Sequence, residues 1–170
     1  MVYILGSDHY LQDYELGDPE DVRQIELNLK NGFYAIVEEI VSTHRIEFVG
    51  EECKVGQNTI PRAIAKEVGC KYAEVDMTAT EREKRGIARD YERREEEKAR
   101  GYALREDYML ERIYSESNVG ARKLIVRGAL PLECLARGCQ TRGDEVTTRD
   151  LTKEAWLVAG YRERFRILLG

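Results

Sequence analysis

Histidine is nearly missing from this chain: His9 and His44 are the two in 170 residues. Proline occurs three times and tryptophan once. No apolar run approaches the roughly 18 residues that a membrane span needs. The start, MVYILGSDHY, lacks the basic segment and long apolar stretch of a secretory signal. These absences predict a protein of the cytoplasm with no membrane partner. Four cysteines (Cys53, Cys70, Cys134, Cys139) form no CxxC pair, so a zinc-finger pattern is excluded and reduced, buried or incidental thiols are expected. GxGxxG, GxxxxGK(S/T) and GxSxG are all absent, which removes the dinucleotide fingerprint, the phosphate loop and the serine-hydrolase elbow. The predicted strands lack the aromatic–basic interleaving of RNA-binding sheets. With a net charge of −5 and a pI near 5.3, no global basic field attracts nucleic acid.

What is present is a globular composition. Hydrophobic residues make up 42%, enough for a real core, and one domain over residues 1–170 is ordinary for this length. Charged residues reach 35% and mean hydropathy is −0.54, so some helices must be largely solvated.

Taken in order, short apolar runs alternate with helical patterns. Val2, Tyr3, Ile4 and Leu5 run into Gly6, Ser7, Asp8 and His9, which reads as a buried strand opening into a functional loop. Asp18-Pro19-Glu20-Asp21 is a helix start, with Asp18 as the cap. Val22, Ile25, Leu29, Phe33, Ile36, Val37 and Ile40 supply that helix's apolar face, and Asn31-Gly32 predicts a kink in it. His44 falls near its C-terminus, a structural position suited to the helix dipole. Residues 46–49 form a second strand, followed by Gly50, Glu51 and Glu52. Thr59 caps a helix that Gly69 ends. Residues 70–75 form a third strand ending at Asp76.

From about residue 80 to 115 the chain reads as helical and extremely charged, with breaks expected at Gly86 and Gly101. The stretch at about 80–101 forms a charged helical arm with ions of both signs at helical spacing. Leu104, Tyr108, Met109 and Ile113 are expected to face the sheet. Residues 123–126 give a fourth strand. Pro131 opens a helix with Leu132, Leu135, Ala136 and Cys139 inward. Residues 145–148 are a weak fifth strand at an edge. Asp150 caps a last helix, with Leu151, Ala155, Val158, Ala159 and Phe165 at core spacing and an arginine-rich surface. The alternation predicts an α/β fold: an open, mostly parallel sheet of four to five strands flanked by helices, with a long charged helical excursion.

In such sheets, ligands bind beyond the carboxyl ends of the strands. That edge collects Asp8, His9, Glu51, Glu52 and Asp76. A histidine there can act as a base or a metal ligand, and neighbouring carboxylates can orient it or share a divalent ion with it. A set of His9, Asp8, Glu51, Glu52 and Asp76 suits Mn, Zn or Fe-like ions more than calcium. Strand-end acids also commonly cap the helix that follows.

Gly6-Ser7-Asp8-His9 resembles the GxxH motif of the TraB/GumN, Tiki, ChaN-like and erythromycin-esterase superfamily. Glu51 or Glu52 of IEFVGEE matches that group's glutamate-ended second strand. Arg105-Glu106-Asp107-Tyr108-Met109 resembles its arginine helix, and IVRGALPLECLARGCQTRGDEV its later strand, turn and helix. The matching order covers residues 2–148. Where the family's GxGH histidine falls, this sequence has Leu130-Pro131. The resemblance implies His9 as base or metal ligand, Glu52 or Glu51 as its partner and Arg105 as an anion or transition-state stabiliser. The activities it implies are metal-dependent peptide cleavage, lactone hydrolysis or haem binding.

Three functions follow as expectations. The first is a small hydrolase, metal-assisted or histidine-based, acting on a small-molecule or peptide substrate through His9, Glu52 and Arg105. The second, which the missing second histidine favours, is a catalytically degenerate module that binds a ligand, or a protein partner through residues 81–100. The third is a metal-dependent nuclease, supported only by the arginine-rich last helix and opposed by the acidic balance.

Overall fold

Successive strand residues point to opposite faces of a sheet, and the first strand here buries both. In β1 (Val2–Gly6), Val2 and Ile4 enter one core and Leu5 the other. The structure is a computed structural model, and it describes all residues of the chain except 17, 18, 21, 54, 55, 89, 90, 129–131 and 170. The other strands are β2 (Phe48–Glu51), β3 (Lys71–Glu74), β4 (Lys123–Arg127) and β5 (Val146–Asp150). They form one five-stranded sheet of order β3-β2-β4-β1-β5, and every strand pair is parallel. The expected α/β fold is therefore the observed one, with β5 at an edge. β4 lies between β2 and β1 and is buried along its whole length.

Seven helices are described: α1 (His9–Gln12), α2 (Arg23–Thr43), α3 (Ile60–Val68), α4 (Ala79–Lys84), α5 (Glu95–Glu116), α6 (Leu132–Thr141) and α7 (Ala155–Leu169). Phe33, Val37 and Ile40 of α2, Ile64 of α3 and Leu157 of α7 cover one face of the sheet, meeting Leu5, Val49, Leu124 and Val126. Met109 and Ile113 of α5 and Leu135 and Cys139 of α6 cover the other, against Ile4, Phe48 and Ile125. The result is three layers. No helix among the described residues is long and apolar enough to cross a membrane. All four cysteines are free.

Several local expectations change. The expected cap Asp18, and Leu130 and Pro131, lie outside the described residues. α2 runs through Asn31-Gly32 without ending, and Gly32 is there because the Trp156 ring packs where a side chain would go. His44 is the C-cap of α2, with its ring 4.3 Å from that of Tyr3, a structural place as expected. The charged stretch breaks at Gly86 as expected and forms two helices. α4 ends in a turn in which Gly86 takes φ 70°, a 3-10 turn follows at Tyr91–Arg93, and then α5 begins. Gly101 does not break α5. It sits inside the helix because Tyr91 occupies the space of its missing side chain. Leu104 and Tyr108 pack not on the sheet but in a small separate cluster with Met77, Ile87 and Tyr91. At the chain's end, Asp150 caps a 3-10 turn at Leu151–Lys153. In α7 it is Leu157 that is buried, whereas Ala155, Ala159 and Phe165 face solvent.

Candidate functional site

The parallel register sets the strand ends level: Gly6 pairs with Arg127, and Glu51 with both Val126 and Glu74. The carboxyl ends of β1, β2, β3 and β4 therefore open onto one cleft of about 1150 Å³. His9, Glu52, Asp76 and Arg105 all line it, together with Gly128, Arg82 and Tyr102. These four expected residues are brought together. Asp8 and Glu51 are not.

Asp8 is the N-cap of α1, accepting from the Tyr10 N–H at 3.0 Å. It serves the helix rather than the cleft, the alternative always open to a strand-end acid. His9, the first residue of α1, is exposed. Its Nε2 lies against Gly128, where a Cβ would come within 2.8 Å of it. His9 can hold this place because residue 128 has no side chain.

Glu52 follows the end of β2 and is buried. Its Oε1 accepts from Arg105 Nη2 at 2.7 Å and its Oε2 from the Gly128 N–H at 3.1 Å. Arg127 Nε lies 3.5 Å from the same Oε2. Asp76 receives Arg105 through both oxygens, from Nε at 3.1 Å and Nη2 at 2.9 Å, a bidentate pair. Arg105 Nη1 donates to the Tyr91 hydroxyl at 2.9 Å. One guanidinium thus joins β2, the loop after β3, the Tyr91 turn and α5. Burial opposes the Arg105 charge, but Asp76, Glu52 and Tyr91 outweigh it and hold the group above its ordinary value. Burial also raises the Asp76 carboxyl, only partly countered by Arg105.

Glu51 points to the other face, as strand alternation requires. Its Oε2 accepts from the Thr59 hydroxyl at 2.5 Å and the Tyr72 hydroxyl at 2.8 Å, while Oε1 is buried with no hydrogen-bond partner among the described residues. Burial pushes its carboxyl up to about 7, against the pull of these two hydroxyls. Cys53 lies beside it, with Sγ 3.4 Å from the Tyr72 hydroxyl, and burial and the Glu51 charge push its thiol up to about 12.

The donor set does not fit the expected metal. Among the described residues, no three His, Cys, Asp or Glu side chains are grouped to hold an ion. Glu52 and Asp76 are turned to Arg105, Asp8 to a helix end and Glu51 to the opposite face. Three participants were not anticipated from sequence. Arg127 ends an apolar strand at the same edge, so the signal that singled out the acids applied equally to it. Gly128 follows it. Tyr91 had no signal, because only the fold of the charged stretch brings it to Arg105.

A scan against protein-family models matches none, and comparisons with curated proteins and with solved structures return no match.

Proposed function

We propose that the chain is a small histidine-based hydrolase whose substrate enters the cleft at the carboxyl ends of β1, β2 and β3. The observation that carries this reading is the convergence of His9, Glu52, Asp76 and Arg105 on one cleft from four separate segments. His9 is the one among them whose ring is both solvent-facing and free of an ion pair among the described residues. As general base its Nε2 takes a proton from water while the oxygen attacks the scissile carbonyl, and it returns the proton to the leaving group. Arg105 has all three nitrogens engaged, so its part is to clamp Glu52 and Asp76 rather than to receive an oxyanion. The likeness of Gly6-Ser7-Asp8-His9 to the GxxH motif of the TraB/GumN, Tiki, ChaN-like and erythromycin-esterase superfamily supports the same reading. The test is turnover on a panel of esters, lactones and peptides. Wild-type protein hydrolyses a member of the panel. His9→Ala loses at least about 100-fold in rate with an unchanged melting temperature, because the ring is exposed. Equal rates for the two proteins on every substrate sink the proposal.

The saturation of Arg105 favours a second reading, a binding module without turnover. Glu52, Asp76, Arg105 and Arg127 neutralise one another, which leaves His9 without a charged partner among the described residues. Under this reading the panel yields no hydrolysis, while deletion of residues 81–100 abolishes capture of a protein partner.

A further inference from the structure

Behind His9 runs a buried polar chain made of Gln12 and Ser7. We propose that Gln12 and Ser7 are positioning residues that hold His9 as its Nδ1–H tautomer, leaving the Nε2 lone pair as the proton acceptor at Gly128. The proposal rests on the hydrolase reading for its purpose, but not for its geometry.

The chain has a direction. The Ser7 hydroxyl donates to the Asp8 carbonyl at 3.5 Å, which leaves the hydroxyl oxygen to accept. Gln12 Nε2 donates to that oxygen at 3.0 Å. The amide so oriented turns its Oε1 to His9 Nδ1, 3.3 Å away. A carbonyl oxygen only accepts, so Nδ1 must carry the ring proton. Gln12 and Ser7 are both fully buried, at 1% and 0% exposure. Turning the amide over would leave a buried polar group facing the wrong partner, which is costly, so its orientation is held. Ser7 is itself fixed to the next strand, its N–H donating to the Arg127 carbonyl at 2.8 Å. His9 and Gln12 are three apart in α1 and therefore share a helix face.

The other side of the ring completes the case. Nε2 rests against Gly128, yet the Gly128 N–H is already given to Glu52 Oε2. Among the described residues, no backbone donor claims the Nε2 lone pair. In many histidine bases a carboxylate orients the ring; here a neutral amide does, itself oriented by a serine.

The opposite amide orientation makes the opposite prediction. It would present Nε2 of Gln12 to the ring and force the ring proton onto His9 Nε2, which would then be a donor and not a base.

The experiment is the long-range proton–nitrogen NMR spectrum of the 15N-labelled full chain, at a pH where the ring is neutral. Wild type shows a protonated Nδ1 and an unprotonated Nε2 for His9. Gln12→Glu keeps an acceptor in place and keeps that pattern. Gln12→Met removes the acceptor and Ser7→Ala removes the group that orients it, and both give a mixture of tautomers. With a hydrolysed substrate in hand, Gln12→Met lowers kcat on the order of tenfold or more with KM unchanged, and Gln12→Glu restores it. A protonated Nε2 in wild type overturns the proposal, even if no variant folds. So does an unchanged tautomer in both Gln12→Met and Ser7→Ala. The Nδ1–H pattern without turnover of any substrate supports the positioning assignment and defeats the hydrolase reading, so the two failures are separable.

Discussion

Glu51 and Glu52 are neighbours in the chain and are buried alike, but the two faces of the sheet treat them differently. Glu52 lies on the α5 side, where Arg105 and Arg127 reach it. Glu51 lies on the α3 side, where it meets two hydroxyls and no cation within ion-pair distance among the described residues. Removing a carboxylate from water is costly unless a partner compensates. On one face an arginine does so. On the other the group shifts toward its neutral form, up to about 7. A one-residue step along a strand thus separates an ion-paired acid from a titrating one.

Removing Arg105, the nearer of the two arginines at Glu52, should have the largest effect. Arg105→Met takes from Glu52 and Asp76 their shared buried partner, leaving Arg127 3.5 Å from Glu52 and Arg82 3.9 Å from Asp76, and costs about 3 kcal/mol. The loss, measured by urea unfolding, is greater at pH 8 than at pH 5, because burial already raises the Asp76 carboxyl and its protonation at the lower pH relieves the lost partner. A loss independent of pH would show that the arginine acts through packing alone.

The second test addresses the other face. Glu51 has a folded value near 7 against an ordinary 4.5. Below pH 4.5 it is protonated in both states and costs nothing. Between 4.5 and 7 the unfolded chain releases its proton while the folded one retains it, so stability falls as pH rises. The full loss, about 3 kcal/mol at roughly 1.4 kcal/mol per pH unit, is reached above pH 7. Glu51→Gln flattens this fall and matches wild type near pH 4. A wild-type profile that stays level from pH 4.5 to 7 would remove the distinction between the faces.

A smaller change probes how Arg105 itself is held. A methyl group at Gly101 overlaps the Tyr91 ring, and Tyr91 anchors Arg105 Nη1. Gly101→Ala should cost about 1–3 kcal/mol and leave the pH dependence due to Glu51 intact. The smallest effect is expected at the cleft rim. Thr78 caps α4 in a reciprocal capping box with Glu81, so Thr78→Ala should cost about 1 kcal/mol. A melting curve of each variant is a sufficient measurement.

Much of this was legible in the sequence, for reasons that are local. Short apolar runs ending at Gly6 and Gly50 mark buried strands, and Thr59 with Gly69 brackets a helix whose cap bond and left-handed end are both present. The capping box at Thr78 is equally legible as T-x-x-E. Gly101 misled, because a glycine inside a helical pattern looks the same whether it breaks the helix or admits a ring from elsewhere. Phe165 misled because helical spacing shows which residues share a face, not whether anything covers it. The site was partly legible. A strand-end rule finds His9, Glu52 and Asp76, but it cannot separate them from Asp8, which caps a helix, or from Glu51, which faces away.

The sequence alone determined the alternation of strands and helices, and with it the parallel sheet and the edge at which polar residues gather. Those follow from periodicity and turn chemistry, which act within a few residues. Only the tertiary structure decided which charges meet. Arg105 is 53 residues from Glu52 and 29 from Asp76, and Gly128 is 76 from Glu52. These contacts depend on β4 entering between β2 and β1 and on α5 packing across the same face. The fate of each buried acid depends on which groups the other strands and helices bring to it, and no local pattern encodes that.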